Sequence, residues 1–304
     1  MTLGERRPLR IGESYFRAHG LGNDYLVFEV AGEGGGGWLA GDAAIQALCH
    51  RGEGVGSDGI VVLLDRSPSD GVFPLRMFNP DGSEFERSGN GLRVLAAYLF
   101  REGLVDQSAF HVRSGGDEIE MTVHGVDRRG RFDISVEMGR ARAGRGALPL
   151  DTPSLDRGGR ILHPTEGAIT FLPVSVGNPH AVLFPEHPGD DLLALIGPFL
   201  SGHSAFPEGT NVQLVHVLSP DRIRIWIWER GVGRTSASGT SSCAAVVASV
   251  HSGLIPPGAV SVEMDGGRME VTVSDELDVL LRGPVDEVSR GVLARSFVER
   301  LNSA

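Results

Sequence analysis

The sequence predicts an α/β (α+β) protein made of a duplicated unit. Two observations carry that expectation. Short β-branched runs alternate with segments of helical apolar spacing along the chain, and each half places one apolar helix directly behind a Gly-rich turn. The length, 304 residues, suffices for one large or two medium domains with a sizeable core. Apolar residues at 41% and charged residues at 22% are ordinary for a soluble globular chain. Glycine is abundant, at 43 residues, and most of it sits in compact motifs that need positive φ or close backbone approach.

In the first half, Ser14–Val30 reads as a strand, a turn at His19-Gly20-Leu21-Gly22-Asn23-Asp24, and a second strand Tyr25–Val30. The run Gly34–Gly37 reads as a flexible loop. Asp42–Cys49 has helical spacing and stops before the turn Gly52–Gly59. Ile60–Leu64 is a β-branched run of the kind that forms a buried strand, and Leu75–Phe78 is another strand. Asn79-Pro80-Asp81-Gly82 is a strong turn signal. Gly89–Phe100 then reads as a helix, with Leu92, Leu95, Ala96 and Leu99 at i, i+3, i+4 and i+7.

The second half follows the same outline. Strands are expected at Val136–Met138, Ala168–Val176, Val212–Val217 and Arg222–Glu229, then a Gly-rich turn and a helix from Gly239 to about His251. Cys243, Val246, Val247 and Val250 repeat the helical spacing, and Ala244–Val250 is apolar nearly all round, so this helix should be buried. Val260–Glu263 and Arg268–Val273 read as a hairpin, and Gly291–Asn302 as a closing helix packed on the first half. The domains are drawn at residues 1–118 with 283–304, and at 119–282.

Composition narrows the function. A formal charge of −11 argues against a nucleic-acid partner, which requires a basic stripe. No apolar run reaches the length of a membrane span and residues 1–15 lack a signal-peptide core, so a soluble cytoplasmic protein is expected, with no membrane partner. The only cysteines are Cys49 and Cys243, too few for a disulfide framework, and no spacing suggests a metal site. Cys49 reads as a helix-end core residue and Cys243 as a buried helical one.

Eight motifs occur in an order that is specific. They are His19-Gly20-Leu21-Gly22-Asn23-Asp24, Gly54-Val55-Gly56-Ser57-Asp58-Gly59, Asn79-Pro80-Asp81-Gly82-Ser83-Glu84 and Ser88-Gly89-Asn90-Gly91 in the first half. Gly177-Asn178-Pro179-His180, Gly209-Thr210-Asn211-Val212, Glu229-Arg230-Gly231-Val232-Gly233 and Ser238-Gly239-Thr240 follow in the second. From about Phe16 to Gly283 the chain thereby resembles diaminopimelate epimerase.

The resemblance implies two pseudo-symmetric domains, each a mixed β-sheet or barrel wrapped around a buried central helix, with the site in the cleft between them. It further implies a homodimer acting on a small amino-acid substrate without pyridoxal phosphate or any other cofactor. The reaction would interconvert LL- and meso-2,6-diaminopimelate by two-site α-proton transfer, as in lysine and peptidoglycan-precursor biosynthesis. The family's two proton-transfer cysteines fall on Ser88 and Ser238. Asn23, Asn79, Asn178 and Asn211 match its substrate-binding asparagines, Glu229 and Arg230 its acid–base-tuning and ligand-binding pair, and His180 a neighbour of the proton-transfer positions. Gly59 departs from the glutamine often found there, so one side-chain contact is missing or supplied by water.

The residues support this chemistry independently of the resemblance. Ser88 and Ser238 each precede a helix, so the N–H groups of Gly89, Asn90, Gly239 and Thr240 would point toward a carboxylate or developing enolate. A guanidinium such as Arg230 suits a distal carboxylate. Read alone, though, both serines are ordinary N-caps, His180 a structural histidine, Asn23 a turn residue, and Glu229–Arg230 a surface ion pair. An alcohol is also a far weaker acid than a thiol and a poor base toward a C–H. Three readings of the pair stay open here. The chain could be a Cys→Ser variant that holds substrate without turnover, a divergent isomerase of another amino acid, or a non-catalytic amino-acid-binding paralogue.

Overall fold

The computed structural model describes residues 9–32, 36–85 and 87–304. Gly34 and Gly35 of the expected loop, and residues 1–8 of the segment expected to lack a signal core, lie outside the described residues. The chain divides into two compact units, one of residues 1–136 with 284–304 and the other of residues 137–283.

The first unit contains β1 (Arg10–Ile11), β2 (Ser14–Gly20), β3 (Asn23–Glu29), β4 (Trp38–Leu39), α1 (Asp42–Cys49), β5 (Ile60–Leu63), β6 (Val72–Phe78) and β7 (Glu84–Phe85). α2 (Gly89–Arg101), β8 (Phe110–Ser114), β9 (Asp117–Val126) and the first part of β10 (Phe132–Arg140) complete its run. β2 and β3 form an antiparallel hairpin turned at Leu21-Gly22, with Gly22 at φ +95°. β3 pairs parallel with β5, β5 antiparallel with β6, and β6 antiparallel with β7 and parallel with β8. β5 is buried at all four positions because it has a strand on either side and helix α2 against it.

β8 and β9 pair antiparallel, and β9 continues to β10 as far as Val136. Those ladders place residues 119–136 in the first unit, past the boundary drawn after 118 from the sequence. Helix α2 packs on β2, β3, β5 and β9, and its first nine residues are all buried, so it is the central helix of this unit. α1 is amphipathic instead, and lays Ala44, Ile45, Leu48 and Cys49 into a cluster with Phe28, Trp38 and Leu301.

The second unit runs through β11 (Arg142–Ala143), β12 (Ile161–His163), β13 (Gly167–Ile169), β14 (Leu172–Ser175), β15 (Pro179–Leu183) and α3 (Asp190–Ser201). β16 (Asn211–Ser219), β17 (Arg222–Glu229), β18 (Gly233–Thr235), α4 (Gly239–His251), β19 (Gly258–Met264) and β20 (Gly267–Val273) follow. The strand expected over 168–176 is two strands: β13 pairs with β12, and β14 pairs with β15 after a break at Thr170-Phe171. Helix α3 has no counterpart in the sequence reading. Its apolar face, Leu193, Ile196 and Leu200, seals a satellite cluster with Leu148, Ile161, Phe206 and Leu214. α4 packs on β14 to β17, β19 and β20, and is buried from Ser241 through Ser249, as its all-round apolar sequence requires.

The last strand, β21 (Asp278–Val292), pairs with β20 at its start and with β2 of the first unit at its end. Gly291 and Val292, expected to begin the closing helix, still pair with Tyr15 and Ser14. The helix α5 is Arg295–Leu301 and packs on α1 and β4 in the first unit.

Strand directions make the duplication explicit. With the short β4, which pairs with β1, set aside, the order β2–β3–α1–β5–β6–β7–α2–β8–β9 recurs as β14–β15–α3–β16–β17–β18–α4–β19–β20. Every pairing keeps its sense: antiparallel, parallel, antiparallel, antiparallel, parallel, antiparallel.

Candidate functional site

In the first unit Ser88 is the N-cap of α2, with extended backbone at φ −138°, ψ 119°. Its Oγ accepts from the Gly91 N–H at 3.1 Å and its carbonyl from the Leu92 N–H at 2.9 Å. The N–H groups of Gly89 and Asn90 are thereby left without a hydrogen bond among the described residues, as free donors at the positive end of a buried helix. The Tyr25 hydroxyl lies 3.1 Å from Ser88 Oγ.

Behind this helix start runs a polar chain. Asn90 Nδ2 donates to Asn23 Oδ1 at 2.8 Å, and Asn90 Oδ1 accepts from Nη2 of the fully buried Arg93. Asn23 Nδ2 donates to Asp58 Oδ2 at 3.0 Å, and the Asp24 N–H donates to the same oxygen. Arg51 bridges Asp24 at 2.7 Å and Asp58 at 2.6 Å, and Arg17 reaches Asp24 at 2.7 Å. Burial pushes the Asp24 carboxyl up, but hydrogen bonds and charge from Arg51 and Arg17 outweigh it and hold the group below its ordinary value. Asn79 sits apart from this chain, donating its Nδ2 to Ser83 Oγ at 2.9 Å within its own turn.

In the second unit Ser238 caps α4 in the same way, at φ −153°, ψ 128°, but its Oγ accepts from Ser241 N at a longer 3.4 Å. Its carbonyl takes the Ser242 N–H and hydroxyl, and the N–H groups of Gly239 and Thr240 have no hydrogen bond among the described residues. Ser241 Oγ accepts from Gln213 Nε2 at 3.0 Å. His180 is fully buried, and its Nε2 lies 2.8 Å from Asn178 Oδ1. Burial drives its pKa down to about 3 against a smaller opposing pull from the Gln213 side chain, so the imidazole is neutral. With Asn178 oxygen facing Nε2, that nitrogen carries the proton and Nδ1 is an acceptor. Nδ1 and Gln213 Oε1 are both buried without a hydrogen bond among the described residues.

Asn211 joins the strand starts of this unit: its Nδ2 donates to the Pro179 carbonyl at 3.2 Å, and its Oδ1 accepts from the Arg230 N–H at 2.9 Å. The Arg230 side chain is exposed, with Nη1 on the Glu208 carbonyl, and it passes over Gly209, where a Cβ would lie 2.8 Å from Arg230 Cδ. Gly209 at φ +69° therefore meets two demands that only glycine satisfies. Glu229 is half-buried at the end of β17 and pairs in register with Gly233.

Of the residues singled out from sequence, Asn23, Ser88, Gly89 and Asn90 come together at one helix start, while Asn178 joins His180 and Asn211 joins Arg230. Neither cysteine stands at a capped serine. Cys49 contacts Ser57 Oγ, and burial pushes its thiol up; Cys243 is fully buried inside α4. Sequence reasoning missed Tyr25, Asp58, Arg51, Arg93, Gln213 and Ser241. Tyr25 left a signal, because Gly22-Asn23-Asp24-Tyr25 and Gly177-Asn178-Pro179-His180 open equivalent strands. Among the described residues no group of three or more His, Cys, Asp or Glu could hold a metal, and no helix is long and apolar enough to cross a membrane.

The sequence pattern of the diaminopimelate epimerase family matches residues 15–143 and 172–288. A diaminopimelate epimerase of Desulforudis audaxviator is 38% identical over 287 residues, covering 93% of this chain and 99% of its own length. Diaminopimelate epimerase 2 of a Nostoc species is 34% identical, covering 92% of this chain and 95% of its own. Among solved structures, a hydroxyproline epimerase from Agrobacterium vitis superposes at a TM-score of 0.67 and 15% identity over 95% of this chain and 94% of that one. A PhzF-family phenazine biosynthesis protein of Bacillus anthracis gives 0.61 and 14%, over 92% and 98%. These two likenesses concern the fold. The chain belongs to the diaminopimelate epimerase family.

Proposed function

Starting from membership in that epimerase family, we propose that the protein binds an amino diacid and moves its α-proton, with LL- and meso-2,6-diaminopimelate as the substrate pair. The observation that carries this reading is the recurrence, at equivalent points of two units with a shared strand order, of a serine-capped buried helix whose first two N–H groups have no hydrogen bond among the described residues. A proton-transfer epimerisation needs one group to take the α-proton and another to return one to the opposite face. The two serine-capped helix starts would supply two such groups. Free N–H pairs at helix starts are suited to the charge that builds on the α-carboxylate as the Cα–H bond breaks. Arg230 is the candidate for the distal carboxylate, since one guanidinium nitrogen is held by the Glu208 carbonyl and the others have no partner among the described residues. Asn23, Asn79, Asn178, Asn211, Glu229 and the first-turn residues Gly89, Asn90, Gly239 and Thr240 are proposed to bound the substrate. His180, being neutral and buried, would orient Asn178 rather than carry charge.

Serine limits the rate of this chemistry, because a thiol near pKa 8.5 is a far better acid and base at neutral pH. A second reading therefore stands beside the first, that of a non-catalytic amino-acid-binding paralogue. It is favoured by the engagement of both hydroxyls as caps. Incubation with LL-diaminopimelate in D2O, followed by NMR, separates them: α-proton exchange above the uncatalysed rate supports the enzyme, whereas calorimetric binding without exchange supports the binder. The family also supports a role in lysine biosynthesis and a cytoplasmic homodimer, the dimer being testable by light scattering.

A further inference from the structure

Tyr25 stands where the second unit has His180. Both follow a Gly-Asn pair at the start of the second strand, and both occupy the strand that pairs parallel with the next one, through Leu26↔Ile60 and Ala181↔Val212. Their side chains behave differently. His180 bonds back to Asn178, whereas the Tyr25 hydroxyl meets Ser88 Oγ at 3.1 Å.

The surroundings of the ring are built for it. A Cβ at Gly59 would fall 2.6 Å from Tyr25 Cε1 and 2.9 Å from the Phe78 carbonyl, and one at Gly91 would fall 3.2 Å from the same ring carbon. Any side chain at 59 would thus displace the phenol from Ser88. The absence of a side chain at 59 and the presence of a hydroxyl at 25 are one arrangement, filling from β3 the space that a longer residue on the neighbouring strand would use. Tyr25 is buried, so the contact with Ser88 is held in one place by packing.

We propose that Tyr25 and Ser88 form a proton-transfer pair, in which the phenol is the acid–base reservoir and Ser88 is the atom that meets the substrate. This rests on the epimerase reading above. In the removal step the substrate Cα–H bond breaks, its electron pair passes into the α-carboxylate as an enediolate, and its proton goes to Ser88 Oγ. The Ser88 hydroxyl proton passes at the same time to the Tyr25 phenolate, so Ser88 stays neutral and Tyr25 becomes the phenol. Reversal returns a proton to the same face, after exchange of the phenolic proton with solvent. The pair supplies what serine alone lacks, since a phenol is a far stronger acid than an aliphatic alcohol. Ser88 retains its cap to Gly91 throughout, because the cap uses an Oγ lone pair and the relay uses the proton and another.

Tyr25 acts through Ser88, and its test needs a readout that loss of packing would not move. The α-proton exchange of diaminopimelate in D2O is measured against pH for the parent, for Tyr25→Phe, and for a protein carrying a fluorinated tyrosine at 25. Circular dichroism confirms folding in each. The expected results are a rate that rises with pH in the parent, a loss of at least tenfold in Tyr25→Phe, and a rise displaced to lower pH with the more acidic phenol. Exchange that is present but unchanged in Tyr25→Phe, or a profile that fluorination leaves in place, overturns the pair and leaves the epimerase reading standing. Absence of exchange in the parent overturns the pair as well. In that case the fate of the epimerase reading is decided by whether Ser88→Cys with Ser238→Cys produces activity.

Discussion

The two units share a strand order, a capped buried helix and a Gly-Asn strand opening, yet they invest their polar residues differently. In the first unit, Asn90 in the first turn of the helix is tied to Asn23 and the buried Arg93, and through Asn23 to Asp58, Arg51 and Asp24. In the second, Thr240 at the same place is half-exposed, and the buried polar residues lie deeper, at His180, Gln213 and Ser241. The first serine has a titratable partner in contact, and among the described residues the second has its hydroxyl in a longer cap alone. Duplication preserved the frame, and the side chains on it specialised.

The sharpest way to probe that asymmetry is to restore one thiol at a time. Ser238→Cys alone is expected to raise epimerisation by roughly 10²-fold or more, the usual scale for a positioned acid–base group. Ser88→Cys alone should give less, because that station already has Tyr25. Equal gains from the two would erase the distinction.

Stability offers the next contrasts. Asn90→Ala removes an acceptor from a buried guanidinium and should cost about 1.5–3 kcal/mol in urea denaturation. Thr240→Ala should stay within about 0.5 kcal/mol, as surface changes do. Comparable costs would show that the polar chain behind α2 is not what holds that helix start.

His180 gives the second unit an acid sensitivity of its own. Its folded pKa, about 3, lies below the unfolded value of 6.5, so its contribution is complete above pH 6.5 and is lost as pH falls toward 3. Between pH 6.5 and 5 that amounts to roughly 2 kcal/mol. His180→Gln should flatten this part of the stability profile, and a profile that keeps its slope would place the sensitivity elsewhere. The last contrast concerns the caps. Ser88→Ala should lower stability by about 1 kcal/mol and Ser238→Ala by less, given 3.1 against 3.4 Å, with the order of the two as the informative result.

Much of this frame is legible in the sequence, and the reasons are local. Asp42–Cys49 and Gly239–His251 show their helices through apolar spacing, and β17 shows itself through Arg222–Glu229. The boundary near 136 was not legible, because it depends on β9 pairing with both β8 and β10, a choice that no single strand encodes. Helix α3 was hidden because Pro198 interrupts its sequence while tertiary contacts of Leu193, Ile196 and Leu200 override the break. At the site, serines, asparagines and Arg230 could be read from their motifs. Tyr25 shares its motif position with His180, but its contact with Ser88 depends on the empty space at Gly59, which only the register of β3 against β5 reveals.

The central claim is that Ser88 and Ser238 occupy the two proton-transfer stations of an otherwise tuned epimerase site. The double variant Ser88→Cys, Ser238→Cys, assayed with LL-diaminopimelate in D2O by NMR, tests it most directly. The expected result is formation of the meso isomer carrying deuterium at the inverted carbon, at a rate well above that of the parent. A folded double variant that binds the diacid and still neither exchanges nor inverts its α-proton would contradict the claim.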